Sequence, residues 1–261
     1  MTARAHGELW TASEAEGVAA TEAGWFPEVY REFEDRLLAG GEHAYPCHFG
    51  AHGQRLGQNS FSAIDSGPHA AEVLAQVLRQ YRERAWEGPR RQSLVVFAGP
   101  PDPHARLADH QAWFWSLLGE LMELDSVPWP EDVPRDPRDP HWQWSFSGEP
   151  WFVFAASPGY RARRSRDLGP CLTMIFQVNR VFKGMGGATP AGWAAKERVR
   201  AQLTRYDTIP PHPDLGDKES SVLHKWRQYA LPDDDSLPPR DGCPLRGLSR
   251  SSGPSAHSDR V

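Results

Sequence analysis

One cysteine sits in Tyr45-Pro46-Cys47-His48-Phe49-Gly50, after a residue that fixes its own φ and before one that tolerates any backbone twist. Such a loop can aim a thiolate in one direction, as a metal or a haem iron requires. The competing reading is a buried, inert thiol. A second cluster, Tyr160-Arg161-Ala162-Arg163-Arg164-Ser165-Arg166, follows an apolar run. Guanidinium forks bind carboxylates and phosphates through paired hydrogen bonds. The plain alternative is a solvated edge with weak surface ion pairs.

His212-Pro213-Asp214 matches the H-x-D half of a non-haem iron facial triad. Prolines flank the histidine on both sides, and the next histidine, His224, is close in sequence, so a single axial ligand in a stiff loop competes with the triad. His48 adjoins Cys47 and could tune or replace it. His110 shares a helical face with Phe114, Leu117 and Leu121, where a buried neutral imidazole is the simpler reading. Gly184-Met185-Gly186-Gly187 is glycine-rich but lacks a lysine in register. No dinucleotide fingerprint, P-loop, H-E-x-x-H or G-x-S-x-G elbow occurs.

Elements must position these groups. Phe26, Val29, Tyr30, Phe33, Leu37 and Leu38 recur at helical spacing until Gly40-Gly41, just ahead of the cysteine loop. Further helices are expected over 69–86, 104–124 and 190–205, the last with Thr189 as cap and Pro190 in its first turn. Residues 59–65 alternate like a half-buried strand. Strands are also expected at 93–98, 142–147, 151–156 and 172–176, with a hairpin at Gly148-Glu149-Pro150. Residues 1–22 read as a flexible arm and 236–261 as a disordered tail. The expected fold is a single α+β domain over 23–235, with a mixed, mainly antiparallel sheet flanked by helices.

The net charge of −5 gives no global pull toward nucleic acid or anionic lipid. Three cysteines far apart in sequence argue against a disulfide framework and a zinc knuckle. No signal peptide or membrane span is read, so a cytoplasmic location is expected. The 11 tryptophans suit either an aromatic core or the walls of a cavity for a planar or cationic guest.

In order, these pieces resemble the YqcI/YcgG family. The matching runs include the cysteine loop, Gln58-Asn59-Ser60-Phe61, Phe114-Trp115-Ser116-Leu117-Leu118, Trp144-Ser145-Phe146, Gly148-Glu149-Pro150 and Arg164-Ser165-Arg166. Ile175-Phe176-Gln177, Tyr206-Asp207-Thr208, His212-Pro213-Asp214-Leu215-Gly216 and Trp226-Arg227-Gln228-Tyr229 complete them. The resemblance covers about 25–235. It implies a haem-dependent monooxygenase of antibiotic biosynthesis, similar to the arginine N-hydroxylases of the D-cycloserine and guanitoxin pathways. Such an enzyme gives N-omega-hydroxy-L-arginine. One departure is Ala155-Ala156-Ser157-Pro158-Gly159-Tyr160, where relatives often carry a more polar segment ending in histidine.

On that resemblance the expected cofactor is haem b; the resemblance does not settle the axial ligand, which the cysteine loop itself assigns to Cys47, with His212 or His48 as alternatives. Thiolate donation favours cleavage of the dioxygen bond. Arg164 and Arg166 would meet the propionates, and Trp113 and Trp115 would wall the pocket. A buried guanidinium needs a carboxylate, for which Glu149 and Asp65 are the candidates. Expected partners are an arginine-like substrate, O2 and an external electron donor, with a homodimer left open and neither nucleic acid nor membrane. A non-haem iron oxygenase using His212 and Asp214, or a non-catalytic haem-binding protein, are the other readings.

Overall fold

The computed structural model describes residues 7–41, 44–89, 91–182, 189–215, 224–239 and 242–246, with the side chains of His48 and Phe49 excepted. The Gly184–Gly187 run lies outside the described residues. The strands are β1 (Trp10–Thr11), β2 (Ser60–Asp65), β3 (Leu94–Gly99), β4 (Ser145–Phe146), β5 (Glu149–Ala156) and β6 (Leu172–Val178). The helices are α1 (Ala12–Thr21), α2 (Phe26–Leu38), α3 (His48–Arg55), α4 (Ala70–Glu87), α5 (Leu107–Leu124) and α6 (Pro190–Tyr206). The strands form one sheet in the order β1-β2-β3-β6-β5-β4. Only β2 and β3 run parallel, joined through α4, and the other pairs are antiparallel. The fold is α+β with a mixed sheet, as the sequence pattern predicts.

Each face of the sheet carries its own core. On one face α4 and α5 press Leu74, Leu78, Tyr81, Phe114 and Leu118 onto Val96, Trp151, Val153, Met174 and Phe176. On the other, α1 and α2 press Trp10, Phe26, Tyr30 and Phe33 onto Phe61, Ala63, Val95 and Phe97. Burial on both sides makes β2 a covered strand rather than the half-buried one its alternation suggests, and Ser62 is fully enclosed. The α1–α2 layer covers mainly the β1-β2-β3 half. Beyond β3 the same face, carrying Ile175, Gln177, Phe152 and Phe154, looks into open space.

Residues 10–21, expected as a loose arm, form β1 and α1. The arm has a physical reason to fold: Thr11 and Glu14 make a reciprocal capping box, and Trp10 is buried against Phe26 at 5.0 Å between rings. The expected tail departs too, because Cys243 and Leu245 are buried in the α4–α5 core. The β4–β5 hairpin turns at Ser147-Gly148, with φ of 54° and 70°, so Glu149 sits in the first paired rung opposite Phe146 rather than in the turn. No described helix is long and apolar enough to cross a membrane.

Candidate active site

The open half of the sheet is the floor of a cavity of about 1300 Å³. Ile175, Gln177, Phe152 and Phe154 supply that floor. Across from it runs one face of α6, through Gly192, Ala195, Lys196, Val199 and Leu203, spaced three or four residues apart as a helical stripe must be. Thr189 fixes the start of that helix by accepting the Gly192 N–H at 3.1 Å, as the sequence predicts. The end of α2 and the cysteine loop close a third side.

Cys47 lies on the cavity wall as the N-cap of α3, where its Sγ accepts the Gly50 N–H at 3.4 Å. A helix start and a donated N–H both favour negative charge on sulfur. None of the three cysteines is in a disulfide. Burial pushes the Cys171 thiol up to about 12 and the Cys243 thiol up to about 11, so those two stay protonated. Cys47 is the one thiol facing the cavity. His48 follows it in the first turn of α3, and its side chain lies outside the described residues.

Arg163, Arg164 and Arg166 have three different fates, set by a short 3-10 turn at Arg164–Arg166. Arg163 is 1% exposed and spends its guanidinium on the Pro232, Pro210 and Asp234 carbonyls and the Asp235 carboxylate at 2.7–3.0 Å. The backbone N–H groups of Arg161, Ala162 and Arg163 converge on the Asp233 carboxylate at 2.8–3.1 Å. These contacts clasp the 230–235 segment. Arg164 is exposed, donates to the Tyr206 carbonyl and covers its ring, outside the cavity. Arg166 points in, 4.7 Å over the Phe154 ring, with its Nη2 on the Gln228 carbonyl at 3.0 Å. Burial lowers its pKa, with nearby Tyr160, Tyr45 and Asp207 acting the other way.

Around Arg166 stand two groups that the sequence did not single out as site residues. Tyr45 donates its hydroxyl to the Ser165 carbonyl at 2.8 Å, and Asp207 accepts the Ser165 N–H and hydroxyl at 2.7 and 2.8 Å. Both line the cavity. Burial raises the Asp207 carboxyl above its ordinary value, against the Ser165 hydrogen bonds and the Arg163 and Arg166 charges. Its side was legible only as Tyr206-Asp207-Thr208 within the resemblance.

Glu149 lines the same cavity but at the far end. Five residues of strand separate it from Phe154, about 16 Å, whereas Tyr45 lies close to both Cys47 and Arg166. The Glu149 carboxylate and the Cys47 thiol therefore do not converge. Burial raises Glu149, offset by Arg82 and by the Asn179 N–H. Asp65 is exposed at the end of β2 and does not line the cavity.

Trp113 and Trp115 do not wall it either. Both belong to α5, on the opposite face of the sheet, where Trp115 stacks on Tyr229 at 6.0 Å. Of the 11 tryptophans only Trp86 lines the cavity, and the others serve the cores and the surface. The aromatic walls are instead Phe33, Tyr45, Phe152, Phe154 and Phe182.

His212 is fully buried with both ring nitrogens engaged. Nδ1 accepts the Asp214 N–H at 3.1 Å, and Nε2 donates to the Ser236 carbonyl at 3.1 Å. Burial lowers its pKa. It does not line the cavity and offers no lone pair to a metal. That removes the structural basis for an axial His212 and for a His212–Asp214 facial triad, and no group of three or more potential ligands occurs among the described residues.

Among the described residues, the charge of the lining is opposite to that of the chain. Arg91, Arg163, Arg166, Arg180, Lys196, Arg200 and Lys225 outnumber Asp132, Glu149 and Asp207, while the whole chain carries 29 basic against 34 acidic residues. An acidic protein has concentrated cations around an apolar slot.

The model of the YqcI/YcgG family matches residues 33–246. The chain belongs to that family. The match reaches past the expected boundary at 235 to the buried Cys243 and Leu245. The chain is 30% identical over 234 residues to "Uncharacterized protein YqcI" of Bacillus subtilis (strain 168), covering 88% of this chain and 91% of that one. It is 36% identical over 168 residues to "Uncharacterized protein YcgG" of the same organism, covering 63% and 66%. It is also 30% identical over 228 residues to "Putative N(omega)-hydroxy-L-arginine synthase DcsA" of Streptomyces lavendulae, covering 85% and 84%. No solved structure matches the chain.

Proposed function

We propose that this protein is a haem-dependent monooxygenase that N-hydroxylates the guanidino group of L-arginine or an arginine derivative. The relative named for making N(omega)-hydroxy-L-arginine supports arginine hydroxylation at the level of the family. One structural observation supports the haem reading most: a cysteine on the wall of a large, apolar-floored and cationic cavity in an acidic protein.

The residues fit such a group. Cys47 would hold the iron, its sulfur steadied by the Gly50 N–H. Phe152 and Ile175 offer an apolar bed, and the part-buried Arg166, lying over the Phe154 ring, a cation for a propionate. Haem bound there would supply the activation of dioxygen. The balance is one guanidino N–H converted to N–OH, with the second oxygen atom leaving as water after two electrons and two protons arrive from an external donor.

The remaining work falls to side chains. A guanidinium entering the cavity must keep a carboxylate partner. Asp207 stands beside Arg166 and uses only two of about four acceptor positions on Ser165. It suits that role better than Asp65, which lies outside, or Glu149, which lies at the other end. The α6 stripe excludes water from the side opposite the sheet.

The test is mass spectrometry of L-arginine incubated with haem-loaded protein, a reductant and O2. A product gaining one oxygen on a guanidino nitrogen is expected. Haem-loaded protein that leaves arginine unchanged while binding it would sink the catalytic reading and leave a haem-binding protein.

A further inference from the structure

At the end of the cavity away from Cys47, two opposite charges share a neutral scaffold without pairing to each other. Lys225 donates to Gln143 Oε1 at 2.6 Å. Gln143 is 2% exposed, and a reciprocal pair fixes its amide: its Nε2 donates to Asn179 Oδ1 at 2.7 Å, and Asn179 Nδ2 donates to its Oε1 at 3.1 Å. The Asn179 backbone N–H reaches the Glu149 carboxylate. All four residues line the cavity. The ammonium has three donors and meets one neutral acceptor, and no carboxylate among the described residues pairs with it. Burial lowers Lys225, and it raises Glu149 against the Arg82 charge and the Asn179 N–H. A rigid amide pair between an ammonium and a carboxylate keeps both available to a ligand with the reverse arrangement of charge.

We propose that Lys225 and Glu149, spaced by the Gln143–Asn179 pair, seat the α-amino-acid head of the substrate, its carboxylate on Lys225 and its ammonium on Glu149. The assignment rests on the arginine reading above and adds an orientation to it. With the head seated here, the side chain runs beneath Ala195 and Val199 of α6, over the bed assigned to haem, toward the Cys47–Asp207 end. An extended arginine spans about 7 Å from Cα to guanidinium, and an ion-pair contact adds about 3 Å. Together they cover most of the 16 Å of strand, roughly estimated, between the two ends. The site thereby selects a free amino acid over a bare alkylguanidine.

Equilibrium binding of L-arginine and of agmatine, its decarboxylated form, to haem-loaded wild type, Lys225→Met and Glu149→Gln tests this, with haem content measured for each. Wild type should prefer arginine. Lys225→Met should weaken arginine by about 10- to 100-fold, as expected for one charge-assisted contact, and leave agmatine unchanged. Glu149→Gln should weaken both ligands, since each carries an amine there. Equal wild-type affinity for the two ligands overturns the proposal without any variant having to fold. So does Lys225→Met that keeps the wild-type preference, including one that instead loses haem, which would assign Lys225 to a propionate. A wild type that binds and hydroxylates arginine while either result holds loses only the head-group seat. A wild type that binds neither ligand overturns the arginine reading, and the seat with it.

Discussion

Single residues divide here by where their polar atoms already point. Cys47 lines the cavity and accepts the Gly50 N–H, whereas His212, away from the cavity, has both nitrogens committed. The commitment of His212 has a measurable cost in acid. Its pKa is depressed in the fold, and an unfolded imidazole titrates near 6.5. Its contribution to stability is therefore complete above pH 6.5 and lost as pH falls toward the folded value, because the unfolded chain takes a proton that the folded one refuses. The slope from one such group is at most about 1.4 kcal/mol per pH unit. His110, also lowered by burial, adds in the same direction. Urea unfolding of His212→Asn between pH 7.5 and pH 5, roughly the window of that titration, should show a shallower loss than wild type. Equal slopes would mean that the imidazole is protonated without disturbing its bonds. The thiol in its proline-glycine loop was legible in the sequence, but the arginine run was not. Neighbours along a tight turn leave the backbone in different directions, so Arg163, Arg164 and Arg166 came to a clasp, the surface and the cavity.

At the scale of elements, α2, α4, α5 and α6 follow from their apolar spacing, and the structure places them within a few residues of the expected bounds. Periodicity says that a helix is buried without saying on which face of the sheet. That is why Trp113 and Trp115 could be read as cavity walls although α5 lies on the other side. The segment 10–21 carried its own signal in Thr11-Ala12-Ser13-Glu14, which a reading by composition passes over. Lys225, Gln143 and Asn179 had none, since their contact joins positions 36 and 82 residues apart. The β4–β5 hairpin sets where Glu149 stands. Gly148 has φ of 70°, and a Cβ there would meet Val127 Cγ1 at 3.1 Å. Gly148→Ala should therefore cost about 1–2 kcal/mol, read as a lower urea midpoint at an unchanged slope. An unaltered midpoint would show that the turn adopts another geometry at no cost.

For the whole molecule, the asymmetry between the two faces of the sheet matters most. One face is closed along its length by α4 and α5. The other is closed by α1 and α2 over β1-β2-β3 and left to a cavity over β6 and β5, with α6 as the far wall. The α+β class and the mixed sheet were legible because each element advertises its own period. The uncovered half was not, because it depends on which helices reach which strands. The cationic lining was hidden as well, behind a net charge of the opposite sign. The central claim is that this cavity takes haem with sulfur on the iron. Its most direct test is optical titration of haem into wild type and Cys47→Ser, each read as the reduced CO complex. Wild type should bind stoichiometrically and give the red-shifted band of a thiolate complex, and Cys47→Ser should lose that band. A serine variant with the same band, or a wild type that takes up no haem, contradicts the account.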